Sequence, residues 1–239
     1  MNNKATIDVA FCDGASSGNP GPGAWAYTMA FLAHDSVNED AGYMDATTNN
    51  QMELQAVIEL LLFYNRERSR QSPEGLSIYC DSQYVIKGAQ SWVANWKKRG
   101  WKTAQGSPVA NREYWEQLDE LKELTPVPVR FHYVPGHSSF VGNERADHLC
   151  ATLAAKRGDE SFISRYSGDL KECSFAEAFL DPMKSFEPYY AVYKNGQLLK
   201  FKTWPECQKA VQGVKGVVFK KIAKKDDEAT FLARFSGKH

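Results

Sequence analysis

Apolar residues fall in short runs near the start of the chain and at helical spacing further on. "ATIDVAFCD" gathers β-branched and aromatic residues ahead of a Gly-Pro-rich loop, and predicts a first strand that ends at Asp13. "AWAYTMAFLA" predicts a second strand, the polar stretch "HDSVNEDAG" a loop, and "GYMDAT" a short third strand. The period then changes. Met52, Leu54, Val57, Ile58, Leu60, Leu61 and Leu62 supply the apolar face of a helix that Asn49 or Asn50 can cap. "LSIYC" is a compact apolar strand ending at Asp81. "SQYVIKGAQSWVANWKKRG" predicts a helix broken near Gly88, and "NREYWEQLDELKEL" a helix opened by Asn111. Pro126 and Pro128 precede a last strand, "VRFHYV". "NERADHLCATLAAKR" predicts a final helix with Asn143 as its cap.

Three strands followed by alternating helices and strands predict an α/β domain over residues 1–157, a mixed five-stranded sheet flanked by helices. Residues 158–187 mix Gly, Ser, Asp and Pro around one helix-like piece, "SFAEAFL", and predict a linker with some structure. Over residues 188–239 the pattern changes again. "YYAVYKNGQLLKFKTW" predicts a hairpin turning at Asn195-Gly196. A helix from Pro205, a strand "GVVFKKI" and a closing helix "DDEATFLARF" complete a small ββαβα unit.

Charge sharpens this division. The net charge is zero, but residues 188–239 hold 11 Lys+Arg against 4 Asp+Glu, and the rest holds 18 against 25. A basic unit beside an acidic domain suits a polyanionic partner. The five cysteines are scattered, with no C-x-x-C, which predicts free thiols in a reducing compartment rather than a disulfide frame or a zinc site. No run of about 18 apolar residues occurs, so no membrane-spanning helix is expected. Asp8 and Asp13 interrupt any secretory signal pattern. The expectation is a cytoplasmic, monomeric protein with no membrane contact.

Candidate chemistry lies in the acids. Asp13 ends the first strand, Asp81 ends the fourth, and Glu53 lies near the start of the helix between them. If the two strands are parallel neighbours, both aspartates emerge at one sheet edge, where open α/β sheets bind ligands. Asp147 lies one turn inside the last helix, within reach of that edge. Taken singly, each acid reads as a solvated surface residue. Four together repel unless a cation offsets them, and oxygen-only ligands suit Mg²⁺ or Mn²⁺. Two such ions about 4 Å apart promote phosphodiester hydrolysis. The loop after Asp13 is no phosphate cradle. Gly18 and Gly23 have P-loop spacing, but Ala24-Trp25 stands where Lys-Ser/Thr is needed.

Five segments, "CDGASSGNPGPGAWA", "TTNNQMELQAV", "YCDSQYVIKG", "WVANWKKRGWKTA" and "VPGHSSFVGNERADHLC", now stand in one order. In that order and near that spacing the chain from Asp8 to about Ala155 resembles type 1 ribonuclease H. The resemblance implies a ribonuclease H-like fold. It implies an endonuclease that hydrolyses the RNA strand of an RNA–DNA hybrid with two Mg²⁺ ions, Mn²⁺ being the alternative, and leaves 5′-phosphate and 3′-hydroxyl ends. It implies metal-binding roles for Asp13, Glu53, Asp81 and Asp147, and a catalytic role for His137 in a loop with Gly136, Ser138 and Ser139. RNA is told from DNA by 2′-hydroxyls in a shallow minor groove. The resemblance implies that Asn19, Asn49 and Gln83 lie there, with Thr48 and Asn49 near a pocket for a DNA phosphate. Gln51 departs from the family members that carry Arg. Trp92, Lys97, Lys98, Arg99, Trp101 and Lys102 match the family's basic protrusion, which holds the DNA strand and makes affinity salt-dependent. The plainer reading of Trp92 and Trp96, at i and i+4, is packing in the core.

From Tyr189 on, the chain resembles the small hybrid-binding domain of eukaryotic ribonucleases H. The matched positions are Tyr190, Trp204, Phe219, Lys220 and Lys221, and the implied ligand is an RNA–DNA hybrid or double-stranded RNA. An aromatic ring stacks on sugars while lysines meet phosphates. The family usually carries this module at the N-terminus; here it follows the larger domain. A reading from another class is a non-catalytic hybrid or double-stranded-RNA binding protein on the same fold. A pure binder has no need of four acids that repel its ligand, which separates the two.

Overall fold

The computed structural model describes residues 7–136, 140–182, 189–194, 197–214, 217–222 and 231. They fall into two compact units, residues 1–184 and 185–239. In the first, β1 (Asp8–Ser16), β2 (Gly21–Phe31) and β3 (Ser36–Thr47) form an antiparallel meander. β4 (Leu76–Cys80) and β5 (Val129–Tyr133) extend it in parallel with β1. With β6 (Ser167–Asp169) the order is β5-β4-β1-β2-β3-β6. α1 (Asn49–Arg66) and α4 (Arg112–Leu124) cover one face, where Ala10, Cys12, Ile78 and Cys80 meet Leu54, Ile58, Leu61, Trp115 and Leu118 in one core. α5 (Val141–Ala155) covers the other, with Leu149 and Leu153 against Ala24, Ala26 and Ala41. Among the described residues no helix is long and apolar enough to cross a membrane, and all five cysteines are buried and outside any disulfide.

The break at Gly88 is a π-helical turn, Gly88–Trp92, between α2 (Gln83–Lys87) and α3 (Val93–Lys98). A Cβ on Gly88 would overlap the Trp115 indole, so glycine admits that buried ring.

Four sequence expectations are corrected. The polar stretch 34–42 is not a loop: β3 runs through it, with Val37, Glu39 and Ala41 turned inward in strand alternation. α1 is capped by Thr48, not by Asn49 or Asn50. The Thr48 hydroxyl accepts from the Gln51 N–H, and the Gln51 side chain accepts from the Thr48 N–H at 3.0 Å. Gln51, the departure noted above, is thus spent on a capping box. α5 starts at Val141, so Asn143 lies inside its first turn rather than capping it.

The fourth correction is the linker and, with it, the strand count. Residues 158–182 belong to the first unit. They add β6 beside β3, which makes the sheet six-stranded. They also bury Leu170, Cys173, Phe175, Ala178 and Phe179 against Val9, Phe11, Ala30, Val37 and Ala146. The physical reason is area: α5 reaches this part of the sheet face only through small residues such as Gly142 and Ala146, and the segment's apolar residues complete the cover.

In the second unit, β7 (Tyr189–Lys194), β8 (Gln197–Phe201) and β9 (Val218–Ile222) form an antiparallel sheet in the order β8-β7-β9. α6 (Trp204–Val211) starts on a capping box of Thr203 and Glu206. The expected turn at Asn195-Gly196 and all of the closing helix but buried Phe231 lie outside the described residues.

Candidate active site

β1 and β4 run parallel and adjacent, with Phe11 opposite Tyr79. Two residues further on, the register delivers Asp13 and Asp81 to one edge and one face of the sheet. This is the C-terminal edge of the parallel strands. Glu53 arrives from α1, because Gly14 permits a close approach. A Cβ on Gly14 would overlap the backbone of Met52 and Glu53. Gly142 serves α5 likewise, since a Cβ there would overlap the Phe11 ring. α5 thereby brings Asp147 and Cys150 to Asp13, and a ligand atom from each of the three lies within 4.8 Å of the others.

The four acids are crowded: Asp13 is buried, and Glu53, Asp81 and Asp147 are half-buried around it. Asp13 is 8 % exposed, and its described donor is the Gly14 N–H, 2.7 Å from Oδ1. Burial pushes its carboxyl well above the usual carboxylate range, and Asp81, Asp147 and Glu53 push it further. Burial also raises Glu53, with Asp81 adding to it. The Ser82 hydroxyl, 2.5 Å from Oε2, and Asn49 Nδ2, 2.9 Å from Oε1, oppose that rise. Asn143 Nδ2 donates to Asp81 Oδ2 at 3.2 Å, and Asn143 Oδ1 is buried with no hydrogen-bond partner among the described residues. A buried carboxylate crowded by three half-buried ones, beside an amide oxygen that no described residue answers, fits a hard divalent cation. Cys150 is the one soft donor in this group among the described residues. Burial and the two aspartates push its thiol up, and it donates to the Asp147 carbonyl at 3.4 Å.

The other predicted residues fall in three places. Asn19 is exposed in the β1–β2 turn, which Ser17 N–H and the Pro22 carbonyl close at 2.7 Å. Thr48 and Asn49 start α1, and exposed Gln83 starts α2 directly after Asp81 and Ser82. His137 lies outside the described residues. In the basic segment, Tyr84, Trp92, Trp96 and Trp115 form a ladder of ring contacts. Trp92 and Trp96 are half-buried in it; with Asn95, Arg99 and Thr103 they line an open groove of about 320 Å³. Lys98, Arg99 and Lys102 are exposed. Lys97 is held by Asp119 and Glu123 on α4, each at 2.6 Å. Trp101 is half-buried under the Arg112 guanidinium.

In the second unit Trp204 contacts Tyr190 and Phe219, with ring centroids 5.4 and 5.5 Å apart. Trp204 and Phe219 stand exposed. The β7–β9 register sets Lys221 across from Tyr190 and Phe219 across from Val192, on one face. Lys220 pairs with Ala191 and belongs to the opposite face, so the two lysines do not act side by side.

Sequence reading missed Ser82 and Asn143 as supports of the acids. Ser82 sits beside Asp81 at a helix start, where its oxygen also accepts from the Val85 N–H at 3.2 Å; that position was the available signal.

Fold and site together define an α/β protein whose parallel central strands and flanking helices gather acids at one sheet edge. The profile of the family described as RNase H matches residues 5–155, and the chain belongs to the ribonuclease H family. By that membership it is a ribonuclease H, a hydrolytic nuclease. A second profile, described as ribonuclease H1 N-terminal domain, matches residues 188–231. The chain is 45 % identical over 161 residues to a ribonuclease H of Cyanothece sp., covering 67 % of this chain and 98 % of that one. It is 44 % identical over 148 residues to a ribonuclease H of Thermosynechococcus vestitus, covering 62 % and 89 %. Among solved structures it shares the fold of LC9-RNase H1, with a TM-score of 0.54, 24 % identity, and coverage of 74 % and 82 %.

Proposed function

We propose that the protein hydrolyses the RNA strand of RNA–DNA hybrids, leaving 5′-phosphate and 3′-hydroxyl ends, with two Mg²⁺ or Mn²⁺ ions held by Asp13, Glu53, Asp81 and Asp147. The observation that carries this reading is the crowding of these acids around buried Asp13 at the C-terminal edge of β1 and β4. When bound, the ions supply an activated water and stabilise charge on the leaving oxygen. The chain's own part is preorganisation. Ser82 and Asn49 hold both oxygens of Glu53, and Asn143 holds one oxygen of Asp81, so these carboxylates are aimed in advance. Asn19, Asn49 and Gln83 read 2′-hydroxyls beside the acids. Lys98, Arg99 and Lys102, around the tryptophan-lined groove, hold the DNA strand. The second unit tethers the hybrid through Tyr190, Trp204, Phe219 and Lys221, and a second site on one chain raises the local concentration of substrate.

The test is cleavage of an end-labelled hybrid with Mg²⁺ and with a chelator, beside Asp13→Asn. Cleavage by the wild type that needs Mg²⁺ and is lost in the variant is expected. A wild type that cuts no hybrid, or a variant that cuts as fast, overturns the reading.

A further inference from the structure

The two family profiles leave residues 156–187 unmatched between them, yet residues 158–182 pack on the unit that holds the acids. We infer that this segment is a positioning brace. It fixes α5 through Arg145, and so sets where Asp147 and Asn143 meet Asp13 and Asp81. The inference rests on reading the four acids as a cation site.

Two sets of contacts carry it. The first is apolar. Val9, Phe11 and Asp13 alternate onto one face of β1, so the ridge that ends in Asp13 is the ridge the segment covers. Phe179 packs on Phe11 with ring centroids 6.1 Å apart, and Ala146 of α5 joins the same cluster. Phe11 is also the ring that Gly142 must clear for α5 to sit down. The segment therefore presses on the contact that determines how close α5 comes to Asp13.

The second set is polar and centres on Arg145, two residues from both Asn143 and Asp147 on α5. Its guanidinium is bidentate to Glu39 on β3, with Nε 2.8 Å from Oε1 and a terminal nitrogen 2.6 Å from Oε2. The Glu39 side chain is fully buried in this pair. The segment completes the pair from the far side. Arg145 also donates to the Ser164 carbonyl at 2.5 Å, and the Tyr166 N–H donates to Glu39 Oε2 at 2.8 Å. The Glu39 N–H donates to the Tyr166 carbonyl at 3.0 Å, and the Phe175 ring lies 5.2 Å from the guanidinium. A buried charge pair is stable in one geometry only when its remaining donors and acceptors are answered. Here the segment answers them, so α5 has one rotational setting about its axis. Neighbouring helix residues are about 100° apart in rotation, so a small turn that loosens Arg145 also swings Asp147. A misplacement of about 1 Å at a reacting centre can cost on the order of 100-fold in rate.

The experiment uses the full chain with Arg145→Lys, which keeps the charge but loses the fork, and separately Phe179→Leu, which keeps an apolar side chain. Four quantities are read: the half-saturating Mg²⁺ concentration for hybrid cleavage, KM for hybrid at saturating Mg²⁺, Mn²⁺ affinity by titration calorimetry, and the melting temperature. For Arg145→Lys we expect about a tenfold rise in both the Mg²⁺ midpoint and the Mn²⁺ Kd, the size seen when supports of metal ligands are lost. KM for hybrid should stay within about twofold, and Phe179→Leu should shift the same two metal quantities in the same direction by less. If both variants are folded at the assay temperature and bind Mn²⁺ as the wild type does, with only the melting temperature lowered, the segment is a structural cover and the inference fails. A wild type that binds no Mn²⁺ overturns the cation site itself, and the brace with it; that failure shows in the wild-type arm alone.

Discussion

Two aspartates stand five residues apart on β1, and both are buried: Asp8 is 0 % exposed and Asp13 8 %. Their surroundings differ in kind. Asp8 faces α1 and accepts from the Tyr64 hydroxyl at 2.9 Å, the Ser72 N–H at 2.8 Å and the Leu32 N–H at 3.3 Å. Asp13 faces α5, accepts from one described donor, and is crowded by Asp81, Asp147 and Glu53. Burial raises both carboxyls; the donors around Asp8 pull its value back, while the acids around Asp13 drive its value further up. A buried charge surrounded by donors is completed within the protein and ties the chain together. One surrounded by like charges is completed only by a cation from outside. The same residue type on one strand thus does structural work at one end and, on the proposed reading, chemical work at the other.

Activity should separate the two most widely. Asp13→Asn is expected to lower kcat for hybrid cleavage by more than about 100-fold, since losing a metal ligand exceeds the loss of a ligand's support. Asp8→Asn should stay within a few-fold of wild type. Comparable losses in steady-state assays of the two variants would erase the distinction.

Stability should reverse the order. Asp8→Ala leaves Tyr64, Ser72 and Leu32 without their acceptor, and unanswered buried donors cost about 1–3 kcal/mol each where water cannot reach them. A loss of about 3 kcal/mol in urea unfolding is expected. Asp13→Ala, unfolded in the presence of a chelator, should be at least as stable as wild type because it relieves repulsion. A chelated Asp13→Ala protein that lost as much as Asp8→Ala would mean that Asp13 is structural too.

The pH dependence tests the same contrast without removing a side chain from Asp8. The folded-state value of Asp13 lies above its ordinary value of 3.8. Between those two values the folded protein keeps a proton that the unfolded chain has released, so metal-free stability falls as pH rises through that window. Asp8 contributes in the same direction and is present in both proteins, so the measured quantity is the difference between wild type and Asp13→Asn. In a chelator the variant should gain on wild type as pH rises, reaching about 3 °C in Tm for about 1 kcal/mol. Adding Mg²⁺ should reverse the sign, because only the ionised carboxylates bind it. Parallel melting curves across pH, with no Mg²⁺ effect specific to wild type, would contradict the repulsion argument.

Much of this contrast was legible in the sequence. Asp13 and Asp81 each close an apolar run, and the strand period alone carries both to one edge once β1 and β4 are neighbours. Asp8 stood in the same run and carried no sign of its donors, since Tyr64, Ser72 and Leu32 are 56, 64 and 24 residues away. Glu39 was hidden for a similar reason. Its polarity made residues 34–42 look like a loop, and the arginine that lets it turn inward lies 106 residues on. Residues 158–182 read only as a linker with some structure because Phe175, Ala178 and Phe179 keep helical spacing for barely more than a turn, while Leu170 and Cys173 stand outside it; together they fill gaps in a surface already formed. Asn143 was misread because a good capping residue stood two positions inside a helix that begins at Val141.

The finest comparison removes one hydroxyl from each end. Tyr64 and Ser82 each donate to a carboxylate, buried Asp8 and half-buried Glu53 respectively. Tyr64→Phe should cost about 1.5 kcal/mol, the usual worth of a hydrogen bond to a charged group, and leave the Mg²⁺ midpoint of cleavage unchanged. Ser82→Ala should cost about 1 kcal/mol through its lost N-cap on α2. It should also raise the Mg²⁺ midpoint by a few-fold, because Oε2 of Glu53 loses the donor that aims it. Stabilities that differ by only about 0.5 kcal/mol, with clearly unequal Mg²⁺ midpoints, are therefore expected. If Tyr64→Phe moved the Mg²⁺ midpoint as far as Ser82→Ala does, the two ends of β1 would be mechanically coupled, and the division of labour between Asp8 and Asp13 would not hold.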